Sequence, residues 1–218
     1  MTRHGSRAAH RPSSRTVALG DLLDAFAASE PVPGGGSAAA LAGALGTALL
    51  IMVAGLPRTR SGTPEQAADL AEASARLRPL RDRLVSLIDE DSAAYAAVLD
   101  ALRLPKTTEP EQQARRATVE GALLEAVEVP MDTMRACQQA LRGAVIVATN
   151  GSPSAATDTS TGVELLLAAL HSAGMNVDVN LKEMRDAAFV QRVAAERGQL
   201  VSDAEADARR ARDRLPLI

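Results

Sequence analysis

Apolar residues recur at three- and four-residue steps along two long stretches of this chain. Leu77, Leu80, Leu84, Leu87, Ala94 and Val98 mark the first, and Leu124, Val127, Met131, Met134, Leu141 and Val145 the second. That period predicts two long helices, ending near Leu102 and Thr149. Both open with the same start signal. Thr63-Pro64-Glu65-Gln66 sets a capping Thr before Pro and Gln, and Thr108-Glu109-Pro110-Glu111 sets a Thr three residues before an acid. Pro79 and Pro130 fall inside these helices and predict kinks or breaks. A short helix is expected over about 17–28, with Leu19, Leu22, Leu23 and Phe26 on one side. Residues 38–55 carry no charge and are mostly Ala, Gly and Leu, the pattern of a helix buried on all sides. A last long helix is expected from Asp158 or Thr159 to about Arg197, apolar all round at 165–170, with Gly198 as its stop. Alternating charges over 203–214 read as a solvated helix. No strand period and no internal repeat is present.

The expectation is therefore an all-α bundle of long, partly kinked helices with buried Ala/Gly-rich helices. A basic tail at 1–15, one helical domain at 16–198 and a charged C-terminal helix at 199–218 complete it. Composition agrees. Aromatics are limited to Tyr95, Phe26 and Phe189, and Trp is absent, which disfavours strands and favours closely packed helices. The 218 residues suffice for one core.

Charge and composition also exclude partners. A net charge of −3 offers no basic face for a nucleic-acid backbone, and the few aromatics cannot stack bases. The single Cys137 rules out an internal disulfide framework and reads as a small buried hydrophobe in a reducing compartment. His4, His10 and His171 form no cluster, so no metal site is expected. Arg3, Arg7, Arg11 and Arg15 precede no apolar h-region, so no secretory signal is read and a cytoplasmic location is expected. The uncharged 38–55 run is long enough to span a membrane, but its Ala/Gly content favours burial in a bundle or subunit contact.

Five features carry candidate chemistry. Gly34, Gly35, Gly36 and Ser37 run straight into a helix, where free N–H groups and the helix dipole suit an anion; the alternative is a capped loop that permits tight packing. Asp91 stands four residues after Leu87 and seven after Leu84, inside the apolar stripe. A carboxylate there serves catalysis, ligand binding or a structural ion pair. Asn176 and Asn180, one turn apart, form either a bidentate binding pair or interhelical hydrogen bonds. Asp158 at a helix start reads first as an N-cap, and Lys106 in the loop after Leu104-Pro105 as solvated.

Taken together these pieces resemble one family. Pro31-Val32-Pro33-Gly34-Gly35-Gly36-Ser37, Asp91 with Ser92 and Tyr95, Leu104-Pro105-Lys106, Asn150-Gly151-Ser152-Pro153-Ser154-Ala155-Ala156-Thr157-Asp158 and Asn176-Val177-Asp178-Val179-Asn180-Leu181 are similar to the cyclodeaminase/cyclohydrolase family. That family comprises the C-terminal half of formiminotransferase-cyclodeaminase and stand-alone methenyltetrahydrofolate cyclohydrolases. The resemblance spans about 17–195. Ser152 stands where the family often has Asn, and Thr157 where Ser usually precedes Asp; both keep hydrogen-bonding ability.

The resemblance implies a dimeric all-α bundle with a folate pocket near the subunit contact, acting at the N5–carbon–N10 bridge of tetrahydrofolate. No formiminotransferase part precedes the helices, so that transfer step is not expected. The chemistry needs acid–base groups but no metal and no cofactor beyond the tetrahydrofolate-linked substrate. On this reading Asp91 and Asp158 are the catalytic carboxyls, and Lys106 is a proton donor or anchor. Asn176 and Asn180 hydrogen-bond the pterin, and Gly34, Gly35, Gly36 and Ser37 hold it or a carboxylate. The competing readings are a non-catalytic helical dimer that keeps or has lost folate binding, and a membrane-associated protein using 38–55.

Overall fold

The computed structural model describes residues 17–57 and 62–216; the expected tail at 1–15 lies outside them. Among the described residues the fold is built from six helices, α1 (Leu19–Ala27), α2 (Gly35–Gly55), α3 (Pro64–Arg103), α4 (Glu109–Asn150), α5 (Ala156–Leu181) and α6 (Ala187–Arg212), with a 3₁₀ turn at Pro153–Ala155 before α5. No strand occurs among the described residues.

The start signals act as their chemistry requires. Thr63 accepts from the Gln66 N–H while the Gln66 side chain returns to the Thr63 N–H, and Thr108 and Glu111 repeat the arrangement. Pro79 and Pro130 sit within α3 and α4, and both helices run on through them. The expected helix from 158 to 197 is instead two. Its first part ends at Leu181 in tight i→i−3 bonds from Lys182, Glu183 and Met184. Asp186 then caps α6 by accepting from the Ala188 and Phe189 N–H groups. No Gly or Pro marks this break, which is why apolar period alone runs across it. Gly198 lies inside α6 rather than ending a helix. The helix expected from 199 thus begins at Ala187, and it is only half solvated: Ala204, Ala208 and Ala211 are buried while Arg209, Arg210 and Arg212 face out.

α2, α3, α4 and α5 form a four-helix ring in which α2 packs on α3 and α5, and α4 packs on the same two from the opposite side; α6 lies across α4 and α5. Close approach depends on small residues. A β-carbon on Gly46 would stand 2.7 Å from the Gly162 carbonyl oxygen, and one on Gly162 3.0 Å from that of Gly46. Gly43 likewise leaves room for Cys137, whose thiol is buried and pushed up to about 12 by that burial. It behaves as the expected hydrophobe. Although α2 is long and apolar enough to cross a membrane, half of its apolar window is buried in the bundle.

These contacts set the register of the ring. Gly35 lies beside Asn176 and Gly46 beside Gly162, so α2 and α5 are antiparallel; Ser37 meets Ile88 while Gly43 meets Leu84, so α2 and α3 are too. α2 therefore begins level with Asp91, whereas α3 continues twelve residues further, about 18 Å at 1.5 Å per residue. Beyond Gly35 the place of α2 in the ring is open. A groove of about 470 Å³ lies there, walled by Val98 and Leu102 of α3 and by Met184, and floored by Val119 and Leu123 of α4.

Candidate active site

Asp91 and the start of α2 make one unit. Ser37, which is 0% exposed, has its Oγ 2.8 Å from Asp91 Oδ2, 3.0 Å from the Ile88 carbonyl and 3.2 Å from Ser92 Oγ. A hydroxyl has one proton to donate. With Asp91 ionised, Ser37 donates to the carboxylate. With Asp91 protonated, the carboxyl donates to Ser37, which turns to Ile88. Both protonation states are accommodated without moving a heavy atom.

Gly36 is what lets the carboxyl sit there. A β-carbon at this position would come within 2.7 Å of the Asp91 carboxyl carbon, closer than real contacts allow. Gly35 is different: its β-carbon position is 3.9 Å from Asn176 Nδ2, ordinary contact. The glycines thus have separate jobs, one seating the carboxyl and one leaving an open approach in front of Asn176.

Burial pushes the Asp91 carboxyl above its usual range, and the Ser37 hydroxyl and backbone N–H pull it part of the way back. The structural ion-pair alternative for Asp91 thus has no cationic partner among the described residues. The helix is not short of such pairs: Arg83 on the same helix bonds Glu90 and Asp132.

The other candidates divide. Asn176 is half-buried beside Gly35 and donates to the Ser172 carbonyl at 2.9 Å, within its own helix. Asn180 donates to the Ala126 carbonyl of α4 at 2.6 Å, which is the interhelical role. Asp158 is not brought to Asp91 within one chain. It stands in the first turn of α5, eighteen residues before Asn176, about 27 Å along the helix. It is not the N-cap either: Ala155 holds that position, and Asp158 sits where a carboxylate suits the helix dipole. Lys106 is exposed in the α3–α4 loop, more than three helical turns beyond Asp91, in a cleft with Gln112, Arg115 and Arg116.

Ser92, named only within the family resemblance, joins the Ser37 hydroxyl through the α2–α3 register; one further feature escaped pattern reading. The groove carries Arg115, Arg116 and Arg185, and its α3 wall, Val98 and Leu102, continues the face of Asp91 at seven and eleven residues on. That spacing is a signal, though one that means little without knowing where α2 ends.

Comparison with known proteins gives a consistent result. The family model for formiminotransferase-cyclodeaminase matches residues 18–199. A methenyltetrahydrofolate cyclohydrolase of Methylorubrum extorquens is 39% identical over 185 residues, covering 85% of this chain and 89% of that one. A formimidoyltransferase-cyclodeaminase of Gallus gallus is 31% identical over 174 residues, 80% of this chain but 32% of that one, so the chain spans about a third of this larger relative. In fold, the crystal structure of formiminotetrahydrofolate cyclodeaminase from Thermotoga maritima superposes with a TM-score of 0.82 at 27% identity, over 92% of this chain and 96% of that one.

Proposed function

The chain belongs to the formiminotransferase-cyclodeaminase family, and we propose that Asp91 is the acid–base group with which it works on the N5–carbon–N10 bridge of tetrahydrofolate. The protein is a folate one-carbon enzyme of the cyclohydrolase or cyclodeaminase type. The observation that carries the role of Asp91 is its setting: a carboxyl raised by burial, without a cationic partner among the described residues, and hydrogen-bonded by the Ser37 hydroxyl.

In hydrolysis, water adds to the methenyl carbon and Asp91 accepts its proton. Asp91 then protonates N5 as the carbon–N5 bond breaks, the carbinol proton goes to solvent, and the formyl group remains on N10. In cyclodeamination the same group accepts the N10 proton as N10 attacks the formimino carbon, and protonates the departing ammonia. The 39% identity over nearly the whole of a cyclohydrolase supports hydrolysis as the main reaction. Following the methenyl chromophore tests this. Its accelerated loss marks hydrolysis, its formation from formiminotetrahydrofolate marks deamination, and neither would remove the proposal.

The active assembly is a homodimer. Leu45 and Met52 are 53% and 41% exposed on the outer face of α2, and Met175 and Val179 are exposed on α5. Such an apolar face suits burial against a second copy. Leu45 lies midway along α2. A two-fold pairing of α2 helices there sets the Gly35 end of one copy against the Gly55 end of the other. In this arrangement Asp158 of the partner subunit approaches the Asp91 site and serves there as the second carboxyl, despite its distance within one chain.

A further inference from the structure

The Ser37 hydroxyl has more neighbours than protons. Asp91 Oδ2 stands 2.8 Å from it, the Ile88 carbonyl 3.0 Å and Ser92 Oγ 3.2 Å. A hydroxyl donates one proton and accepts at two lone pairs. The ionised carboxylate and the carbonyl only accept, so of these neighbours Ser92 alone can donate to Ser37 while Asp91 is charged. Ser37 is wholly buried, so bulk water does not supply that donor.

Ser92 is aimed at this place. Hydroxyl side chains inside helices commonly bond back to the carbonyl four residues earlier, as Ser86 does to Asp82, Thr133 to Val129 and Thr149 to Val145. Ser92 Oγ instead crosses from α3 to the first turn of α2 and shares its hydrogen bond with Ser37. The Ile88 carbonyl, which stands four residues before Ser92, is met by Ser37.

We propose that Ser92 is a positioning residue for the acid–base step: it donates to Ser37 and thereby holds the Ser37 proton on the ionised Asp91 carboxylate. This rests on the reading of Asp91 as the acid–base group. Two hydroxyls in series polarise each other, so the bond that reaches the carboxylate is stronger than one from an isolated serine. When Asp91 takes up a proton the order reverses. The carboxyl then donates to Ser37, and Ser37 turns its own proton to Ile88. The protonated state has a substitute for Ser92 and the ionised state has none, so Ser92 favours the charged form.

No charged side chain is among the causes acting on Asp91, which are burial and the two bonds from Ser37. From Gly35 to Gly55, α2 carries no ionisable side chain. On α4, Glu128 pairs with Arg135, Asp132 with Arg83 and Arg135, and Glu125 is exposed. Glu90 of α3 also pairs with Arg83, and Asp178 of α5 with Arg197. The effect of Ser92 can therefore be read against a background of hydrogen bonds alone.

The test follows Asp91 directly and through turnover, in full-length protein. Carboxyl-carbon NMR gives the Asp91 titration midpoint, assigned by its loss in Asp91→Asn. Disappearance of the methenyl chromophore gives the acidic limb of kcat/KM. Both should move up in Ser92→Ala by about 0.3 pH unit, and further in Ser37→Ala. Ser37→Ala/Ser92→Ala should match Ser37→Ala, because Ser92 acts through Ser37. Ser92→Thr, which keeps the hydroxyl, should restore both values, and circular dichroism should show the helices kept throughout, since Ala suits a helix at least as well as Ser. A midpoint that stays in place in Ser92→Ala, or shifts that add in the double variant, overturns the role of Ser92 and leaves that of Asp91 intact. A midpoint that moves while the kinetic limb stays put overturns the reading of Asp91, and the role of Ser92 with it.

Discussion

Gly36 lies directly beneath Asp91, so that a β-carbon on the glycine would come within 2.7 Å of the carboxyl carbon. A residue at the first turn of one helix is thereby matched to an acid in the middle of another, and the match has consequences for both.

Gly36→Ala should displace the Asp91 carboxyl, because the colliding atoms are the end of a side chain that can rotate away rather than backbone. Turnover should fall by about 10²-fold, the scale of acid–base catalysis, with a small change in melting temperature. Gly35→Ala meets only ordinary contact with Asn176, and its helix should be kept. The pair is read by turnover and thermal melt; equal effects on turnover would show that Gly36 does not seat the carboxyl.

Asp91→Asn keeps shape and removes charge. No buried cation among the described residues is orphaned by the change, so the fold should be as stable as wild type or slightly more so, while turnover falls by about 10²-fold. Calorimetry and single-turnover kinetics on one preparation decide it. Marked destabilisation with near-normal turnover would take Asp91 out of the chemistry.

The pH dependence has a definite sign. Asp91 is raised by burial, so between its ordinary value and its folded value the native state holds a proton that the unfolded chain has lost. Stability from this group therefore falls as pH rises through that window. Activity that needs the ionised carboxyl rises through the same window. Ser37 bonds favour the ionised form, so Ser37→Ala should move the acidic limb of kcat/KM to higher pH. A limb that stays in place, or moves down, contradicts the link between Ser37 and Asp91.

If Asp158 of the partner subunit completes the site, defects should complement across the dimer. Asp91→Asn and Asp158→Ala should each be poorly active alone. Mixed and allowed to exchange subunits, they should regain about a quarter of wild-type activity, because random pairing makes half the dimers mixed and leaves one intact site in each. Recovery is measured after co-refolding. No recovery from variants that do form mixed dimers would separate Asp158 from the site.

Helix content was legible from the chain because it is local. A 3.6-residue apolar period, a Thr with its Gln or Glu three residues on, and a composition poor in β-branched and aromatic residues act within a turn or two. The break at 182–186 was hidden for the same reason. Its stop is an Asp186 cap that resembles any other polar helix residue until Ala188 and Phe189 are seen to donate to it.

Asp91 stood out by itself, since an acid on an apolar stripe violates the rule that charge is kept in water. Gly36 and Ser37 stood out too, but their meeting with Asp91 did not. Ser37, Gly36 and Ser92 reach it only through the antiparallel register of α2 on α3, where small residues let the helices approach at Gly36 and Gly43. The same register puts Asp158 at the far end of the bundle and opens a groove where the 21-residue α2 stops and the 40-residue α3 continues. Sequence spacing determines what each helix presents along its own axis. Which helices lie side by side, and at what offset, is decided by packing between residues far apart in the chain, and the site is made of those offsets.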